Sequence, residues 1–169
     1  MINEKLEKAF NEQINKEFYS AYLYLSMSAY LADIGLNGFA NWMHIQAQEE
    51  TAHAMGLYNY LIERGGTVHL EAIEKPQTSW SSVLDLFKAT YEHEQFVTSL
   101  INKLADVADE VKDRAAASYL QWYIDEQVEE EANASEIICK LNLINNDGSA
   151  LFTMDKDMGT RTFTAPVIG

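Results

Sequence analysis

A single cysteine, Cys139, stands in this 169-residue chain, so an internal disulfide and a thiolate-built zinc or iron–sulfur site are both excluded. That usage fits a reducing compartment, and Cys139 is expected as a small core residue. Prolines number two and glycines eight, leaving long stretches without helix breakers. Long apolar runs are missing as well: no segment approaches about 18 uncharged apolar residues, which argues against a membrane span. The opening MINEKLEKAFNEQ alternates charged with apolar residues and lacks the apolar centre of a secretion leader. A cytoplasmic protein is expected. Basic residues are few, 12 against 26 acidic ones, and the net charge of −14 repels nucleic acid and anionic membranes while attracting cations.

What remains is rich in Ala, Leu, Glu, Lys and Gln, the composition of an all-α protein. The length suits a single domain over 1–169. Gly35, Gly38, Gly65, Gly66 and Pro76 divide it into long periodic segments. Helices are predicted over about 3–32, 38–64, 80–108, 113–142 and 149–158. Residues 67–79 form a connection too long for a tight turn and suited to crossing the length of a bundle. Between the third and fourth helices neither Gly nor Pro marks a turn. Length demands one: an unbroken helix from Ser82 to Leu141 would reach roughly 90 Å at about 1.5 Å per residue. Asp113 is the expected N-cap there.

Each of the four long segments carries an apolar stripe at three-and-four spacing, and each stripe is interrupted near its midpoint by acid. The third reads Val83, Phe87, Thr90, Glu94, Val97, Ile101, Leu104, Ala108. Glu17 occupies the corresponding place on the first, Glu50 with His53 on the second, and Gln127 with Glu130 on the fourth. Helices packed side by side bring these midpoints into one layer. Buried carboxylates need counter-charge, and no Lys or Arg lies on any stripe to supply it. Two divalent cations would balance four carboxylates, with His53 as a neutral ligand. Glu50-x-x-His53 sets an oxygen and a nitrogen donor one helical turn apart, and a central Glu can bridge two ions. A set of oxygens plus one imidazole suits iron or manganese better than copper, though zinc would bind too.

Over nearly its full length the chain resembles the bacterial-type non-haem ferritins. The matching segments are NKEFYSAYLYLSMSAY around Glu17, AQEETAH with Glu49, Glu50 and His53, YEHEQF with Glu94, and LQWYIDEQVEEE with Gln127 and Glu130. The resemblance implies a ferritin-like four-helix bundle with a long crossover between the second and third helices and a short fifth C-terminal helix. It implies a ferroxidase centre with Glu17, Glu50 and His53 at one iron, and Glu50, Glu94 and Glu130 at the other. Gln127 lies nearby, and the resemblance gives Tyr24 a supporting or electron-donating role, with Trp122 similar, while the residues by themselves read both as core packing. A third iron position would use acids at Glu49, Glu126, Glu129 and Glu130. The implied activity is oxidation of Fe(II) by dioxygen or peroxide, with ferric mineral stored in a homo-oligomeric, twenty-four-subunit cage.

Departures from related families sharpen this expectation. A bacterioferritin would repeat Glu-x-x-His on the fourth helix and place a haem-binding methionine where Thr51 stands, so no haem is expected. A rubrerythrin needs a cysteine-rich iron domain. His44, His69 and His93 receive no role. Two other readings stay open from the residues: a di-iron or di-manganese redox enzyme that stores nothing, and a metal-free helical interaction module.

Overall fold

Five helices carry the chain in the computed structural model, which describes residues 2–168; Met1 and Gly169, the ends of the expected domain, lie outside the described residues. Helix α1 spans Glu4–Asp33, α2 Asn37–Glu63, α3 Val83–Glu110, α4 Arg114–Ile144 and α5 Gly148–Met158. Among the described residues there is no strand, and no helix is long and apolar enough to cross a membrane.

Short polar residues start most of these helices by accepting an otherwise orphaned backbone N–H. Asn3 accepts from Lys5 N at 2.9 Å, Ser82 from Asp85 N at 3.0 Å, Asp113 from Ala116 N at 3.0 Å and Asp147 from Ala150 N at 2.8 Å. The cap at Ser82 holds the start of α3 to Val83, three residues later than the expected 80. Gly35 and Gly65, with φ of 83° and 72°, end the turns after α1 and α2. After α3 the same left-handed conformation falls on Lys112, φ 59°, and after α4 on Asn145 and Asn146. The α3–α4 turn therefore carries no glycine signal, and α4 runs on to Ile144, past the expected 142.

Contacts across the bundle fix helix direction. Met27 and Tyr24 of α1 meet Thr90 and Glu94 of α3, and Gln46 and His53 of α2 meet Glu130 and Tyr123 of α4. Both pairs thus run antiparallel, which leaves α2 and α3 parallel and requires the long crossover. That crossover climbs α1 on side-chain hydrogen bonds. Asn11 Nδ2 donates to Thr67 O at 2.9 Å, Asn15 Nδ2 to Ala72 O at 3.2 Å, Ser26 Oγ to Gln77 O at 2.6 Å and Tyr30 Oη to Trp80 O at 2.7 Å. Polar residues on the outer face of α1 thereby satisfy a segment with no ladder of its own.

Helix α5 seats against the start of α2. Phe39 N donates to Asp155 Oδ1 at 2.9 Å, and a Cβ on Gly38 would fall 1.5 Å from the Asp155 carbonyl oxygen. Only glycine permits that approach.

The apolar interior forms two clusters. One gathers Met27, Leu31, Phe39, Met43, Leu86, Phe87 and Leu141, and the other Leu6, Phe10, Ile14, Leu57, Leu61, Ile101 and Leu120. Between them lies a polar layer at mid-bundle. Cys139, expected in the core, is exposed on α4 instead. It lies two residues beyond buried Ile137, a step that turns a helical side chain away from the core face.

Candidate metal centre

The polar layer is built by one or two side chains from each long helix. Glu17 comes from α1, Glu50 and His53 from α2, Glu94 from α3, and Gln127 and Glu130 from α4; all are buried. Glu17, Glu50 and His53 each bring one donor atom to within 4.8 Å of the other two. His53 Nδ1 lies 3.4 Å from Glu50 Oε2, while its Nε2 faces Glu126 Oε1 at 3.9 Å. One nitrogen is thus directed to the carboxylate cluster and the other to a residue that can orient the ring. Trp122 packs edge-on to the imidazole at 5.4 Å between centroids, and Tyr123 Oη donates to the His53 carbonyl at 2.9 Å.

Three of the four acids have a glutamine donor of their own. Gln13 Nε2 donates to Glu17 Oε1 at 2.8 Å, Gln46 Nε2 to Glu130 Oε2 at 2.6 Å, and Gln127 Nε2 to Glu94 Oε2 at 3.2 Å. Tyr24, fully buried, adds its hydroxyl to Glu94 Oε1. Neutral amides and a phenol satisfy lone pairs without cancelling charge. No Lys or Arg makes an ion pair with Glu17, Glu50, Glu94 or Glu130 among the described residues. Glu50 has no amide donor and sits amid the others, which suits a bridging ligand.

Protonation reflects this imbalance. Burial raises the pKa of Glu17, against the pull of Gln13. Burial, then the charges of Glu94, Glu17 and Glu130, push Glu50 well above the carboxylate range. Glu130 is pushed well up by burial and by Glu94. Glu94 rises to about 7, again chiefly through burial. His53 falls to about 4 because burial disfavours the imidazolium, so its ring is neutral and able to ligate at neutral pH. Tyr24 is raised well above 10, first by burial and then by Glu94, and stays a phenol. Without cations the layer is held by protons, and cations can take their place.

The other predicted residues take different positions. Gln127 is turned onto Glu94 and Thr98, as a hydrogen-bond donor. Glu49 is half-buried and bound to Arg161 at 2.5 Å. Glu126 is half-buried beside His53, and Glu129 is exposed on α4. Sequence reasoning missed Gln13, although its place four residues before Glu17 on α1 is a usable signal. It also missed His93, whose Nε2 lies 2.8 Å from Ser20 Oγ and whose ring meets Tyr24 edge-on at 5.8 Å.

Comparison with known proteins agrees with this architecture. The family model described as a ferritin-like domain matches residues 7–144. A probable bacterial non-heme ferritin-like protein of Haemophilus influenzae is 43% identical over 159 residues, covering 94% of this chain and 96% of the relative. A bacterial non-heme ferritin of Bacteroides fragilis is 42% identical over 161 residues, covering 95% of this chain and all of the relative. Among solved structures, an engineered closed form of the Archaeoglobus fulgidus ferritin superposes with a TM-score of 0.96 at 51% identity, covering 97% of this chain and 100% of that one. The open-pore ferritin of the same archaeon gives 0.94 at 51% identity, covering 96% and 100%. Sequence match along most of the chain, near-complete structural superposition and a carboxylate layer shared among four helices together establish that this chain belongs to the ferritin family.

Proposed function

We propose that the protein oxidises Fe(II) at an intra-subunit pair of iron positions and stores the ferric product. One observation carries the reading: four glutamates and a neutral histidine, all buried, share one layer without a compensating Lys or Arg. Iron is here substrate and cargo. Glu17, Glu50 and His53 hold one Fe(II), Glu50, Glu94 and Glu130 hold the other, and Glu50 bridges. Two Fe(II) neutralise the four carboxylates as the protons leave. Oxidation passes one electron from each iron to dioxygen or peroxide. The added positive charge then exceeds what four carboxylates balance, favouring hydrolysis and onward movement of ferric iron. Gln13, Gln46, Gln127 and Tyr24 orient the ligands.

Glu49, Glu126 and Glu129, with Glu130, are assigned to a third, weaker iron position on the α2–α4 flank. The charges of Glu129 and Glu49 raise Glu126, after burial, which is the electrostatic signature of acids sharing a cation-attracting region. The storage form is a homo-oligomeric cage of twenty-four subunits in the cytoplasm. No haem is assigned, because Thr51 stands where a haem-binding methionine would be needed.

Mixing Fe(II) with the protein in air and following ferric absorbance tests the assignment. Glu50→Ala should slow the fast phase by about a hundredfold or more, as loss of a ligand does. An unchanged fast phase would refute it. Light scattering of the same sample should report a very large particle, and a small assembly would exclude the cage.

A further inference from the structure

The only cationic side chain that reaches the metal layer's ligand network, among the described residues, comes from the tail after α5. Arg161 Nη2 donates to Glu49 Oε2 at 2.5 Å, and its Nη1 donates to Gln46 Oε1 at 2.8 Å. With the Gln46 oxygen turned to the guanidinium, its Nε2 is directed to Glu130. The guanidinium lies 4.3 Å from the Trp42 ring centre, and Asn41 Nδ2 donates to the Arg161 carbonyl at 3.0 Å. The contact of α5 with Gly38 sets where the tail begins. A fork held on two acceptors and an aromatic face loses less freedom per contact than a loose surface lysine pair does.

Arg161 makes no ion pair with Glu17, Glu50, Glu94 or Glu130; its charge acts only through space on Glu130, lowering that carboxyl's pKa against the stronger effects of burial and Glu94. Its single full pairing is with Glu49, one of the acids assigned above to the third iron position. Glu49 keeps Oε1 for a metal ion while Oε2 holds Arg161, but a divalent cation there meets the guanidinium's repulsion and a carboxylate already partly neutralised.

We propose that Arg161 is a positioning residue that serves as the resident cation at Glu49, so that a third metal ion binds there only against the charge of the tail guanidinium or by displacing it. The tail thereby makes the third position weaker than the pair and fills the pair first. This inference rests on the iron-site assignment given above.

The test titrates assembled, metal-free protein with Zn(II), which undergoes no redox chemistry, in a calorimeter at neutral pH. Wild type should show two tight events per subunit and a third, weaker one. In Arg161→Gln the third event should tighten by about tenfold, the loss of one charge-assisted hydrogen bond, and by more than either of the first two, which Arg161 reaches only indirectly through Gln46 and Glu130. Arg161→Lys, which keeps the charge on the tail, should restore the wild-type third event to within about threefold. Glu49→Gln combined with Arg161→Gln should show no gain. A third event unchanged in Arg161→Gln, or strengthened equally without Glu49, overturns the proposal. Absence of a third event from every variant also overturns it, yet leaves the paired site standing if two tight events persist. Loss of those two in wild type would instead refute the iron-site assignment itself.

Discussion

Replacing Glu94 with glutamine should make the metal-free protein more stable while impairing it as a metal binder. Glu94 is 1% exposed, and its pKa rises from 4.5 to about 7 mainly because burial disfavours the carboxylate. A folded-state pKa above the unfolded one means that stability is fully present below the unfolded value and is lost as pH rises through the folded one. At pH 7.5 the unfolded side chain is ionised at no penalty, whereas the folded one either holds a proton or carries a buried charge. At about 1.4 kcal/mol per pH unit, the shift corresponds to about 3 kcal/mol of forgone stability. Glutamine removes that penalty, but its single carbonyl oxygen can accept from only one of Tyr24 and Gln127, which both donate to Glu94, a loss of about 1 kcal/mol. The net gain of about 2 kcal/mol should raise Tm by about 5 °C for a chain of this size. At pH 5 Glu94 is protonated in the fold and the gain should fall to about zero. The lowered pKa of His53 also changes stability between pH 6.5 and 4, but it acts on both proteins and cancels in the difference. Scanning calorimetry of both proteins at equal concentration, at the two pH values, measures this. Adding Zn(II) at about a hundred times its Kd should then stabilise wild type by about 3 kcal/mol and reverse the order. A Tm for Glu94→Gln no higher than wild type at pH 7.5, or an equal gain at pH 5, would refute the burial argument.

Metal binding should weaken as pH falls from 7.5 to 5.5, by about tenfold or more per pH unit, because the raised carboxyls of Glu17, Glu50, Glu94 and Glu130 must release protons to ligate. Calorimetry in two buffers of different ionisation heat reads the protons released, and a value of zero would sink the reasoning. Gly38→Ala should unseat α5, since the new methyl group collides with the Asp155 carbonyl. About 2 kcal/mol of destabilisation is expected, with protease cleavage appearing first within α5 while α1 to α4 stay helical by circular dichroism. Resistance equal to wild type would show that the contact relaxes freely.

The stripes were readable because helical spacing and burial are tightly linked. Glu17, Glu50, His53, Glu94 and Glu130 each sat where an apolar residue belonged, and the structure buries all of them together. Less readable were features decided by backbone conformation or by distant partners. Lys112 adopts a left-handed φ without being glycine, which hid the α3–α4 turn. Arg161 lies 31 residues beyond Glu130 in a tail that carries no periodicity, so nothing local tied it to Glu49 or Gln46. Cys139 misled because its residue type favours burial while its helical phase, two positions past Ile137, faces water. The roles of Gln13 and Gln127 required geometry: periodicity places an amide near an acid without saying which atom it presents.

Splitting the apolar interior into two clusters has a further effect on how the subunit can work. Each end of the bundle coheres through its own tightly packed side chains, so the belt between them is not what keeps the helices together. Protons can be traded for ions there, and the ions can change valence and leave, while both ends stay anchored. The protein can thus pass through large swings of internal charge without opening its shell of helices.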